Sequence, residues 1–148
     1  MKLLTSMCGL VAPLAIVCMA VGQDNDESKK ELERMQGVWR VVSSQVGDEA
    51  ALEAEFKKRK VTIKGNILTY EYGNEQKEKR VGTIKLSPKT KAFDWVWTSP
   101  ETTMMAIYEL KGDDLKIGFG NDGLMRPKQF VMGKEDVVWL LVLKRVKP

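Results

Sequence analysis

The side chains of this chain best suited to catalysis are carboxylates. Asp94 and Glu109 each lie beside apolar strand residues. A pair of acids can hydrolyse a glycan when one is ionised, the other is protonated and the two stand about 5–9 Å apart. Nothing in the sequence brings these two together. Acids on a strand face are usually solvated or paired with a base, and Lys85, Lys91 and Lys116 are the candidate mates. The segment Gly118-Phe119-Gly120-Asn121-Asp122-Gly123 has the three glycines of a dinucleotide loop. Such a loop must run from a strand into a helix whose amides face the pyrophosphate. Here Leu124-Met125-Arg126-Pro127 follows, so the segment reads as a long loop at one mouth of a barrel. Asp113, Asp114 and Asp122 lack the alternating oxygen ligands and distal glutamate of a calcium loop, and read as turn formers. The expectation is a protein with no catalytic residue, no metal site and no cofactor.

Elimination supports the same view. The chain has no histidine, and both cysteines, Cys8 and Cys18, fall in the first 22 residues. The body therefore lacks a thiol nucleophile, a disulfide, thiolate or imidazole metal ligands, and the usual general base near neutral pH. Residues 1–22 carry one charged side chain, Lys2, followed by an apolar stretch over residues 10–20 that Pro13 interrupts. That is the pattern of a secretory signal, with Ala20 and Gly22 as the small residues before a cut at Gln23. A membrane anchor needs about 20 apolar residues, so no stable span is expected after cleavage. Lipid attachment at Cys18 is the alternative, disfavoured by Val17 before it. The address is periplasmic or extracellular.

From Gln23 the remaining 126 residues suffice for one domain with a real core and are too few for two. Their net charge is +3, that of the whole chain less Lys2, with acids and bases mixed throughout. Such mixing argues against a nucleic-acid surface. The densest basic run, Lys57-Lys58-Arg59-Lys60, reads as a solvated helix end or strand edge.

The elements that must position these side chains are mainly strands. Residues 23–30 contain no apolar side chain and read as a flexible tether ahead of a domain over 31–148. Ser28, with Glu31 three residues on, suits a capping box for a short helix ending before Gly37. A second helix is expected over residues 48–58. Period-two alternation then runs through Val61/Ile63, Leu68/Tyr70/Tyr72, Ile84/Leu86, Phe93/Trp95/Trp97 and Leu115/Ile117/Phe119, with turn signals such as Gly65-Asn66, Ser87-Pro88 and Gly112-Asp113 between them. One strand, residues 103–110, leaves its register open between Met104/Ala106/Tyr108 and Met105/Ile107. Residues 137–146 are apolar on both faces, so that strand cannot be a free edge. Eight to nine antiparallel strands with one or two short helices predict an all-β, up-and-down barrel of lipocalin-like type. An open two-sheet sandwich is the alternative.

Trp39 opens the first strand and Arg145 closes the last. A guanidinium over that indole would stopper one barrel end, a structural pair worth about 0.5–2 kcal/mol. Phe93, Trp95 and Trp97 share a strand face, and with Tyr70, Tyr108 and Phe119 they are the candidate lining of a ligand pocket. Tyr108 belongs to this face only if Met104, Ala106 and Tyr108 point inward. The competing reading is a filled core.

Four ordered segments carry a resemblance over residues 35–147. Met35-Gln36-Gly37-Val38-Trp39-Arg40-Val41-Val42-Ser43, the hairpin Ile107-Tyr108-Glu109-Leu110-Lys111-Gly112-Asp113-Asp114-Leu115-Lys116-Ile117, Arg126-Pro127 with Phe130, and Leu141-Val142-Leu143-Lys144-Arg145 resemble an uncharacterised planctomycete lipocalin-like domain family. Members often carry a cysteine just after the Leu-Lys-Ile segment, where Gly118 stands here. The resemblance implies a lipocalin-like barrel and export, without a known activity. The functional expectation is an exported, non-catalytic barrel that binds a small hydrophobic or amphipathic ligand. The alternative is a cell-envelope interaction module with a filled barrel whose loops, such as residues 121–128, face a protein or polymer. Ligand identity and oligomeric state are not written in the sequence.

Overall fold

Alternation of apolar and polar residues becomes a sheet that closes on itself. The computed structural model describes residues 23–99, 101–121, 125–133 and 136–148. The signal-like segment and both cysteines lie outside the described residues, as do Asp122 and Gly123 of the glycine-rich motif. A helix, α1 (Gln23–Met35), leads into β1 (Gly37–Val46), β2 (Glu49–Ala50) and a single-turn α2 (Glu53–Phe56). There follow β3 (Lys60–Lys64), β4 (Ile67–Glu71), β5 (Lys79–Ser87), β6 (Ala92–Thr98), β7 (Glu101–Lys111), β8 (Asp114–Phe119) and β9 (Trp139–Arg145). Each strand from β3 to β8 pairs antiparallel with the next, and β1 pairs with both β3 and β9. Eight strands therefore form a closed antiparallel barrel, with β2 as an extra strand on the far end of β1. Closure leaves the doubly apolar β9 with a neighbour on each side, as its sequence required.

Register follows the pleat. Met104, Ala106 and Tyr108 point inward from β7, and Trp139, Leu141 and Leu143 from β9, which settles the open register of residues 103–110. The seam between β1 and β9 shifts register at Val42. Such an extra residue bends and twists a strand, and beyond it β1 leaves β3 and pairs with β2.

Two helical expectations are corrected. Residues 23–30 are no tether, because α1 begins at Gln23 and passes through Ser28 without a cap there. Its lysines and glutamates are good helix formers, and Asp26 and Glu27 lie near its positive end. The expected helix over residues 48–58 shrinks to Glu53–Phe56. Gly47 adopts a positive φ of 57°, so Gly47-Asp48 forms a two-residue hairpin turn between Val46 and Glu49, and strand pairing takes up the positions ahead of the helix.

Candidate functional site

The two ends of the barrel differ. At one end α1 lies against the end of β5 and the turn after it, and side chains fasten it there. The Gln36 amide accepts from the Gly65 amide at 2.7 Å and donates to the Gly65 carbonyl at 2.9 Å. Trp39 is fully buried, and its indole donates to the Met35 carbonyl at 3.0 Å. Directly opposite it on β9, Arg145 holds its guanidinium 4.1 Å from the Trp39 ring centre. Arg145 also donates to the carbonyls of Gln36 and Arg34 and pairs with Asp113 at 3.2 Å. The sequence-derived pair thus meets at the base, tying the helix to both strands of the seam.

Glu31 adds a buried acid to this end. Its carboxylate accepts from Lys91 and Arg34, each at 2.6 Å, and from the Tyr108 hydroxyl at 3.2 Å. Burial alone would raise its pKa, but Lys91, Arg34 and the Tyr108 hydroxyl together outweigh burial, and the net shift is downward. Burial and then the Glu31 charge push the Tyr108 phenol far above its usual range. Tyr108 is therefore a neutral donor beneath the helix.

Above the base the barrel is filled. Phe93 packs on Tyr108 and Phe119 with ring centres 6.0 and 6.1 Å apart, and Trp95 lies 5.8 Å from Phe119. Phe93, Trp95, Tyr108 and Phe119 are all at most 2% exposed and belong to the core. At the other end a cavity of about 590 Å³ opens between the strand ends. Its wall holds Tyr70, Tyr72, Trp97 and Trp139, with Val46, Met104 and Val138, and its polar members are Arg59, Arg80 and Thr102. Of the six candidate lining residues, Tyr70 and Trp97 stand at this cavity, and Phe93, Trp95, Tyr108 and Phe119 do not.

The cavity wall is electrostatically one-sided. It contains two arginines and no acid. Neither Arg59 nor Arg80 has a carboxylate partner among the described residues, although Lys57 and Lys60 of the same basic run pair with Glu53 and Glu71 at 2.9 and 3.1 Å. Arg80 lies 4.4 Å over the Trp97 ring and 5.9 Å over that of Tyr72. Burial raises the pKa of the Tyr70 hydroxyl while the nearby Arg59 guanidinium opposes that shift. The two nonetheless make no hydrogen bond of ordinary geometry. Tyr70 Oη, Trp95 Nε1 and Trp97 Nε1 are buried without a hydrogen-bond partner among the described residues. A buried donor in that state costs about 1–3 kcal/mol. The Trp139 indole differs, since it donates to Ser44 across the seam at 3.3 Å.

The carboxylates considered for hydrolysis have ordinary partners. Asp94 is paired with Arg126, which also donates to the carbonyls of Phe93 and Ala106 at 3.1 and 2.9 Å, and Glu109 pairs with Lys111 at 3.0 Å. These are not the lysine mates expected. Asp94 faces Met105 across the ladder, four residues from Glu109, a separation of about 13 Å at strand rise. After Gly120 no helix begins among the described residues, so Gly118 and Gly120 do not open a phosphate loop. Gly118 sits where the returning loop presses on the sheet: a Cβ there would stand 2.9 Å from Val137 and 3.2 Å from Phe130.

No helix among the described residues is long and apolar enough to cross a membrane, and no group of three or more potential metal ligands occurs among them. Comparison with known proteins returns no match, whether to a family model, a curated protein or a solved structure.

Sequence reasoning missed Arg59, Tyr72, Arg80, Thr102, Met104, Val138, Trp139 and Val46 as members of this wall. Tyr72 and Trp139 were visible in the alternation of their strands. Arg59 was hidden in a run of four basic residues, and only its place just before β3 sends it to the mouth.

Proposed function

We propose that this chain is an exported, non-catalytic lipocalin-like barrel that takes a small hydrophobic or amphipathic molecule into the cavity at its open end. The observation that carries the reading is the pairing of a stoppered, filled base with an aromatic-walled cavity of about 590 Å³ at the mouth. Small-molecule sites commonly measure about 300–1,000 Å³, with apolar walls and a few polar groups. Export rests on the pattern of residues 1–22, and the likeness to a planctomycete lipocalin-like family rests on the quoted segments. Tryptophan fluorescence of protein purified from its own envelope, recorded before and after solvent extraction, tests the reading. Trp97 and Trp139 stand at the cavity, so removal of a bound molecule shifts the emission. An unchanged spectrum counts against it.

One observation favours a second reading, the envelope interaction module. The barrel interior below the mouth is packed with rings and aliphatic side chains, so a ligand enters only its upper part. That reading expects an unchanged spectrum on extraction and co-purification of a macromolecule.

A further inference from the structure

We infer that the ligand of the open-end cavity is an amphipathic organic anion, its acid group held by Arg59 and Arg80 and its apolar body laid against Trp97, Tyr72 and Trp139. This deepens the proposed ligand-binding role and rests on it. Three independent features point the same way. The first is charge: two guanidiniums and no carboxylate stand in the wall, while neighbouring lysines of the same run are already paired with acids. An unpaired guanidinium presents a fork of donors that matches an oxyanion. The second is unspent hydrogen-bonding capacity. Tyr70 is 1% exposed and Trp97 6%, and each holds a polar donor without a partner in or just beneath the wall. The third is the aromatic surface. Arg80 lies over Trp97 and Tyr72, so a flat body entering the mouth meets one surface in which rings and a cation stand together.

The depth of each contact follows from burial. Arg59 is half-buried and lies next to the Tyr70 hydroxyl, which is covered. The acid group therefore comes to rest on Arg59, with Tyr70 behind it as a further donor. Arg80 is exposed and holds the anion at the rim, where water and salt weaken it more.

Matched probes separate the anion from the body. Titrations of the purified protein compare 2-naphthoate with its neutral isostere 2-naphthamide, and dodecanoate with dodecanol, by tryptophan quenching and calorimetry. The acid in at least one pair is expected to bind about tenfold tighter than its neutral partner. That gap should fall to about twofold in Arg59→Gln and narrow in Arg80→Gln, with the neutral probes unaffected. Tyr70→Phe, which removes only the hydroxyl, should weaken the acids and spare the neutral probes, and melting curves confirm that each variant is folded. Equal affinity for acid and neutral probe would overturn the anion and leave the cavity reading standing. A gap that survives both arginine substitutions would place the anion elsewhere and overturn this site. Failure of all four probes to bind would overturn the inference together with the cavity reading.

Discussion

Arg145 covers the indole of Trp39 from the opposite side of the barrel seam, and with the same side chain it holds the carbonyls of Arg34 and Gln36 at the end of α1. One guanidinium thus joins the last strand, the first strand and the stoppering helix. Cation–π contact and charge-assisted hydrogen bonds act together there. Arg145→Ala is expected to lower stability by about 2–4 kcal/mol, a shift that thermal melting will read, and to leave ligand affinity at the far end unchanged. Unaltered melting would mean the base is held by other contacts.

The Glu31 cluster gives a pH dependence. Its folded pKa lies below the ordinary value of 4.5, so its contribution to stability is complete above that value and is lost as pH falls through the folded pKa. Glu31→Gln should cost about 1–2 kcal/mol at neutral pH, since both cationic partners are more than half exposed. It should also flatten the acid limb of the stability curve below pH 4.5. Urea unfolding of both proteins across that range tests the sign. A variant with the same acid limb as the parent would rule the cluster out as its source.

Core and mouth should separate by substitution. Phe93→Ala removes a fully buried ring packed on Tyr108 and Phe119 and is expected to cost about 3–5 kcal/mol. Trp97→Ala opens the cavity wall instead. It should destabilise less and weaken 2-naphthamide binding at least fivefold. Stability and affinity that fall together in both variants would deny that core and cavity are distinct.

How far these details could be read beforehand depended on the kind of information each needed. Strand order and closure follow from local alternation and from an apolar last strand that needs two neighbours, and closure then sets Trp39 opposite Arg145. Height along the barrel axis is different. Period two tells that Phe93, Trp95 and Trp97 share a face, and it cannot tell that Phe93 lies deep while Trp97 reaches the mouth. That depends on strand stagger, which many pairings set jointly. Arg59 escaped for a related reason, since its place is set between α2 and β3, where its amide donates to the Phe56 carbonyl and its carbonyl accepts from the Val41 amide. The helix α1 was misjudged because it buries only a few residues, Glu31 and Met35 among them, and so carries no long apolar stripe.

Gly82 makes room for a core indole. A Cβ there would stand 2.4 Å from the Val96 carbonyl oxygen and 2.7 Å from Trp95 Nε1, so the indole of Trp95 uses the space a side chain would take. Gly82→Val is expected to destabilise by about 1–3 kcal/mol and to change the near-ultraviolet dichroism of the tryptophans. A native-like spectrum and melting point would show that Trp95 has room to move.

If the open end of this barrel holds a small molecule, that molecule travels with the exported protein. Native mass spectrometry of the protein gently purified from its own envelope reads that directly. The expected spectrum shows a chain beginning at Gln23 together with one added mass of small-molecule size, released on activation and, if acidic, detected as an anion. A single species at the bare protein mass, or the protein bound only to a macromolecule, would contradict small-molecule binding at the open end.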